Sequence, residues 1–369
     1  MWKRILTALV LVAMALGAGC LGGLLHPPVV PPAIVPVEGA ALDQAPAYTF
    51  PFEDGEETIR VSPDPAVYAG AKAADRQLYL SENLSEEEWI PIYYLAFIND
   101  PHQEPLYADL LAALREIRDR EALGDDRYLE LIAAFVQSIP YRTDASVAEP
   151  KFPIETYVDA EGDCDDKSLL LAGLLAREGY GVALLYFGEE GHMAVGVKSA
   201  GCRYRYRNTP YAYIEATNTS YVGIPPAELA DGTLLSSDPL VIPAGYGNRS
   251  YTACGEVETI EHALSASRNH LEEFEVELTA RTRELEEERV SLEALDVRIA
   301  ALSRSGEIRE CNRLVTEYNQ RAREYNDAID AYNTLLAESE AAVDLHNHLI
   351  THAHDRSGSY LRARAYLAG

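Results

Sequence analysis

The sequence predicts an α+β domain followed by a long antiparallel helical hairpin. Three observations lead there. Over residues 65–140 apolar side chains recur mostly at helical spacing. Residues 182–187, 192–197 and 211–217 then read as three neighbouring strands. After Gly255 an apolar residue recurs every seventh position to about His354. Helices followed by a run of adjacent strands argue for α+β and against a parallel α/β sheet.

The chain opens with Lys3 and Arg4, an apolar stretch over 5–16, and small residues ending at Cys20. The stretch is too short for an ordinary membrane span. The run resembles a lipoprotein signal peptide, with Leu16 four places before Cys20 instead of the usual three. That resemblance implies export, cleavage at Cys20, its lipidation, and a chain held on the membrane facing outside the cytoplasm; an uncleaved signal anchor is the alternative. Residues 21–45 carry Pro27, Pro28, Pro31, Pro32 and Pro36 and read as a semi-rigid tether. The remaining divisions are a domain over 46–254, the hairpin over 255–355 and a tail over 356–369. The net charge of -28 argues against nucleic acid, whose phosphates need clustered Lys and Arg. It describes a well-solvated surface and names no partner.

Within the domain, Ser85 followed by Glu86, Glu87 and Glu88 marks a helix start. Leu106, Leu110, Leu111, Leu114 and Ile117 form one apolar face, and Leu129, Ile132, Ala133 and Val136 another. A loop rich in Pro and Gly is expected from the third strand to about Gly247. In the hairpin, Val257, Leu264, Leu271, Leu278, Leu285, Leu292 and Ile299 make the first arm's seam. Ile308, Val315, Ala322, Ile329, Leu336, Val343 and Ile350 are expected to make the second, with Cys311, Tyr318, Tyr325 and Tyr332 at the companion position. Ser303 to Gly306 breaks the two series. The hairpin serves as a spacer, an oligomerisation element or an arm that binds another protein.

Cys164 stands at the start of an apolar helix pattern, within Gly162-Asp163-Cys164-Asp165-Asp166. A helix N-terminus favours thiolate over thiol. His192 opens the second strand and Glu215 lies in the third. Cysteine, histidine and acid in that order suit a thiol acyl-transfer enzyme. These residues, with Gly191-His192-Met193-Ala194-Val195 and Tyr213-Ile214-Glu215-Ala216-Thr217, resemble the core of the transglutaminase-like superfamily of papain-related cysteine enzymes. The likeness covers about residues 125–225. It implies Cys164 as nucleophile on an amide carbonyl, His192 as proton carrier and Glu215 as orienting acid, where many relatives have Asp. A protein or peptide would be the substrate. Peptidase or amidase action is preferred over cross-linking, because water needs no second binding site. A non-catalytic surface module is the alternative.

Asp163, Asp165 and Asp166 read first as helix caps. A calcium site is the second reading, since a periplasmic branch of the superfamily depends on calcium; no cofactor is otherwise required. His346, His348, His352 and His354 read as exposed polar residues, with an i,i+4 pair that could take a transition metal. Of the other cysteines, Cys254 and Cys311 fall at opposite ends of the hairpin, too far apart to bridge. Cys202 with Cys254 is then the favoured pairing, with all three free as the alternative.

Overall fold

The computed structural model describes residues 29–80, 84–143, 149–199, 206–226, 228–229 and 232–368. The signal segment, Cys20 and Cys202 lie outside the described residues. The chain divides into two compact units, residues 1–255 and 256–369. The architecture is α+β, with two antiparallel sheets and long C-terminal helices.

The first unit begins with a two-stranded hairpin, β1 (Ala47–Phe52) and β2 (Gly55–Arg60). Four helices follow: α1 (Pro65–Ala73), α2 (Glu86–Asn99), α3 (Glu104–Arg120) and α4 (Asp125–Gln137). Their starts are chemically marked. Ser85 and Glu88 form the reciprocal cap expected for α2, and the apolar faces of α3 and α4 are buried as the spacing requires. A short α5 (Pro153–Asp159) precedes α6 (Cys164–Arg177). Residues 168–175 of α6 are buried all round, the mark of a helix enclosed by its neighbours. A four-stranded antiparallel sheet in the order β5-β4-β3-β6 packs against it: β3 (Gly181–Phe187), β4 (His192–Lys198), β5 (Tyr211–Ile214) and β6 (Leu240–Tyr246).

Three expectations need correction here. The β1–β2 hairpin is not among the expected elements; Phe50 and Phe52 alternate inward, Tyr48 meets Phe135 of α4 edge-on and Phe50 packs against the same ring at a tilt. β6 falls where a loop was expected. Pro243 and Gly245 masked it, and it sits at the sheet edge with a register shift where proline is tolerated. Over the described residues 29–45 the proline-rich run is no free tether. Ile34 is 2% exposed and donates its N–H to Asp100 Oδ2 at 2.7 Å. Val37 donates to the Ala66 carbonyl at 2.9 Å. An extended segment has no internal backbone bonds, so it must find partners outside itself. Gly70 of α1 makes room: a Cβ there would lie 2.4 Å from the Val35 carbonyl oxygen.

The second unit contains α7 (Cys254–Ser305), α8 (Ile308–Thr351) and α9 (Arg356–Leu367), so the expected tail is helical. Gly306 turns the chain with φ +79°. The pairs Cys311–Ile299, Arg321–Glu288, Tyr332–Thr282 and His346–Ser267 fix α7 and α8 as an antiparallel hairpin. The first-arm seam is where its heptads put it: Val257 and Leu292 are buried and the positions between them at least half-buried. The second-arm seam is displaced by one residue. Leu314, Leu335, Ala342 and Leu349 are buried, while Ile308, Val315, Leu336, Val343 and Ile350 are exposed. Two apolar series run side by side along α8, and the position next to the tyrosines is the one that faces α7. Among the described residues no helix is long and apolar enough to cross a membrane.

Candidate active site

Cys164 is the first residue of α6, and its position is set by a reciprocal cap. Asp163 accepts the Asp166 N–H through Oδ1 at 3.4 Å, and Asp166 accepts the Asp163 N–H through Oδ2 at 3.2 Å. Asp166 also holds the Lys151 N–H at 2.6 Å. Gly162 is required before this cap, because a Cβ there would lie 2.8 Å from the Asp166 Cβ. One turn further on, Ser168 donates to the Met193 carbonyl at 3.2 Å and ties α6 to the start of β4. The Cys164 thiol meets the carbonyl of Gly191, the residue before His192, at 4.0 Å.

His192 is 6% exposed. Its Nε2 faces the Tyr213 hydroxyl at 3.1 Å and Glu215 Oε2 at 3.3 Å. Tyr213 in turn donates to Glu215 Oε2 at 2.8 Å. The other carboxylate oxygen accepts the Thr217 N–H at 2.9 Å and the Thr217 hydroxyl at 2.7 Å. Burial pushes Glu215 up, but the imidazole of His192 and the two Thr217 donors outweigh it and hold the acid at about 2. Cys164, His192 and Glu215 line one cavity of about 460 Å³, shared with Tyr141, Glu190 and Asn218. The three residues singled out in the sequence are thus brought together.

The thiol itself is not a ready thiolate. Burial pushes Cys164 up to about 12, with the charges of Asp165, Asp163 and Glu215 adding to the rise; a hydrogen bond from the Met193 backbone pulls the other way. Burial and mutual repulsion also raise Asp165 well above the carboxylate range, and Asp166 to about 6. The three acids bring one oxygen each to within 4.8 Å of one another, the only such group among the described residues. Calcium takes six to eight oxygens. Three carboxylates, two of them engaged in the cap, fall short of that set.

Two members of the site were not visible from the residue pattern. Tyr213 bridges His192 and Glu215; it stands two places before Glu215, where strand alternation puts both on one face. Lys167 is fully buried and donates to the carbonyls of Gln137, Ile139 and Thr217 at 3.2, 2.6 and 3.0 Å. Burial brings it down to about 8, while the Glu215 charge opposes that fall. Gln137 completes the frame by donating to the Glu215 carbonyl at 2.8 Å. A single lysine inside an otherwise apolar helix was the available signal.

Elsewhere, Cys254 is in a disulfide, while Cys164 and Cys311 carry free thiols. His348 and His352 stack at 4.2 Å, and His346 is bound to Ser267. No family model, curated protein or solved structure matches the chain.

Proposed function

We propose that the chain is an extracytoplasmic thiol enzyme of transglutaminase-like type, held on the membrane by a lipid at Cys20, that cleaves amide bonds in a protein or peptide. The observation that carries this reading is the Cys164–His192–Glu215 constellation opening into one cavity. Cys164 attacks the amide carbonyl and passes its proton to His192. The developing oxyanion takes the Cys164 backbone N–H, one of the donors a helix start leaves without an intrahelical acceptor. His192 returns the proton to the leaving amine, which departs and leaves a thioester on Cys164. Water then adds, His192 takes its proton, and the acid product frees the thiol. Glu215, ionised throughout, stabilises each imidazolium. If an amine takes the place of water, the same acyl-enzyme gives cross-linking.

A second reading rests on the raised thiol: a chain with the same fold that binds a protein without chemistry. Labelling with a thiol-directed electrophile near neutral pH separates them. The enzyme reading expects Cys164 to label faster than Cys311, and His192→Ala to slow it by about 10²-fold or more. Equal rates at the two thiols, unchanged by His192→Ala, leave only the binding module. Turnover of amide substrates lost in Cys164→Ala completes the test.

A further inference from the structure

We propose that the outer face of α8 is a self-association surface that takes the same face of a second copy, running antiparallel. A strict coiled-coil seam needs two apolar positions per heptad; a helix that buries a wider stripe shows three. The arm α7 has two. The arm α8 has three, because the inner seam through Leu314, Leu335, Ala342 and Leu349 is followed, one residue on, by a second series. In that series Ile308, Val315, Leu336, Val343 and Ile350 are 60, 37, 37, 39 and 55% exposed. Ala322 and Ile329 continue it, half-buried. At about 1.5 Å per residue the series runs for roughly 60 Å.

The border of this stripe is unlike the rest of the unit. Asn312, Asn319, Asn326, Asn333 and Asn347 recur at seven-residue spacing, all exposed, with only Glu340 interrupting. The exposed surface of α7 is instead crowded with acids such as Glu272, Glu273, Glu275 and Glu287. Depletion of charge around an apolar strip is the composition of an interface centre. The asparagines add the polar seam positions that fix register at a cost in affinity, so the association is weak and reversible.

The charges choose the occupant. Beyond the asparagines lie Arg309, Arg323, Asp330 and Asp344, all exposed. Among the described residues none of the four carries an ion pair, nor do Arg268, Arg298 and Arg304, whereas Arg281, Arg289, Arg313 and Arg321 are paired within the unit. The flank is therefore basic in its first half and acidic in its second. In a parallel copy the two flanks fall on opposite sides of the contact and the four charges find no partner in each other. An antiparallel copy with its dyad between residues 326 and 327 sets Arg309 against Asp344 and Arg323 against Asp330 together, in one register.

Sedimentation velocity on the full chain over a concentration series tests this, with helicity by circular dichroism as the folding control. The wild type is expected to dimerise. Val343→Asp is expected to abolish the dimer at unchanged helicity. Arg323→Asp is expected to weaken it roughly tenfold, and adding Asp330→Arg to restore it, because like-charge pairs become opposite-charge pairs again. A monomer at every concentration overturns the proposal, as does a dimer indifferent to Val343→Asp. So does a double reversal that dissociates as readily as the single one, which is the result for a parallel pair or for another occupant.

Discussion

At the residue scale the site turns on how Glu215 is held. It follows the last residue of β5, where Tyr213 and Thr217 donate to its carboxylate. Tyr213→Phe removes one donor from Glu215 Oε2 and the hydroxyl from His192 Nε2. On the proposed mechanism turnover is expected to fall about tenfold, roughly what the loss of one hydrogen bond gives, with KM unchanged. Equal kcat in the variant would leave Tyr213 a packing residue. The thiol makes a second prediction. Burial and the neighbouring acids hold Cys164 as the thiol through neutral pH, so labelling there depends on His192 taking the proton; in His192→Ala labelling should keep rising with pH beyond 9, where an ordinary thiol levels off. Asp163→Asn keeps the helix cap and removes one opposing charge. The pH–rate midpoint should move down and labelling at pH 8 should rise a few-fold, roughly what half a pKa unit gives. A midpoint that stays or rises would show that the acids do not govern the thiol.

At the element scale α6 is the piece on which the site is built. Its buried lysine joins the end of α4 to the segment after β5, and three backbone carbonyls depend on it. Lys167→Met keeps the volume and strands those carbonyls. The expected loss is about 3 kcal/mol or more by urea unfolding, since each buried unpaired acceptor costs about 1–3 kcal/mol. Glu215 gives the same frame a pH dependence. Its folded pKa is lowered, so its contribution is complete above the ordinary carboxylate range and is lost as pH falls from about 4.5 towards 2. Elements with strong local signals were legible. Capping acids and an apolar period placed α2, α3, α4 and α6, and turn residues separated β3 from β4. The elements that sequence reading lost are those whose stability comes from partners far along the chain. β6 exists because β3 offers it an edge, and the segment over 29–45 is ordered because Asp100 and Gly70 receive it. On α8 the local pattern was ambiguous in itself: two apolar series one residue apart compete for one seam, and only packing against α7 decides between them. Within the candidate site, side-chain type and order pointed to Cys164, His192 and Glu215, which line one cavity. Tyr213 and Lys167 escaped because a strand tyrosine and a helix lysine are ordinary until their partners are known.

At the scale of the whole molecule the two units differ in kind. Every group that shapes the thiol, the imidazole and the acid belongs to residues 1–255, and the cap, the lysine frame and the tyrosine bridge close on one another there. The hairpin draws its stability from its own seam and from ion pairs along and across its arms, such as Arg321 with Glu288. Chemistry and assembly are therefore expected to separate. A chain ending at Gly255 should keep the Cys164 labelling rate of the full chain, its pH dependence and its turnover of short amide substrates, each within about twofold, because the side chains that line the cavity all belong to the first unit. The truncated chain should at the same time lose concentration-dependent dimerisation. The measurement is a side-by-side pH–rate profile and sedimentation series on both chains. If truncation lowers labelling and turnover while the first unit stays folded, the hairpin supplies something the thiol needs. The division of labour between the units would then have to be given up.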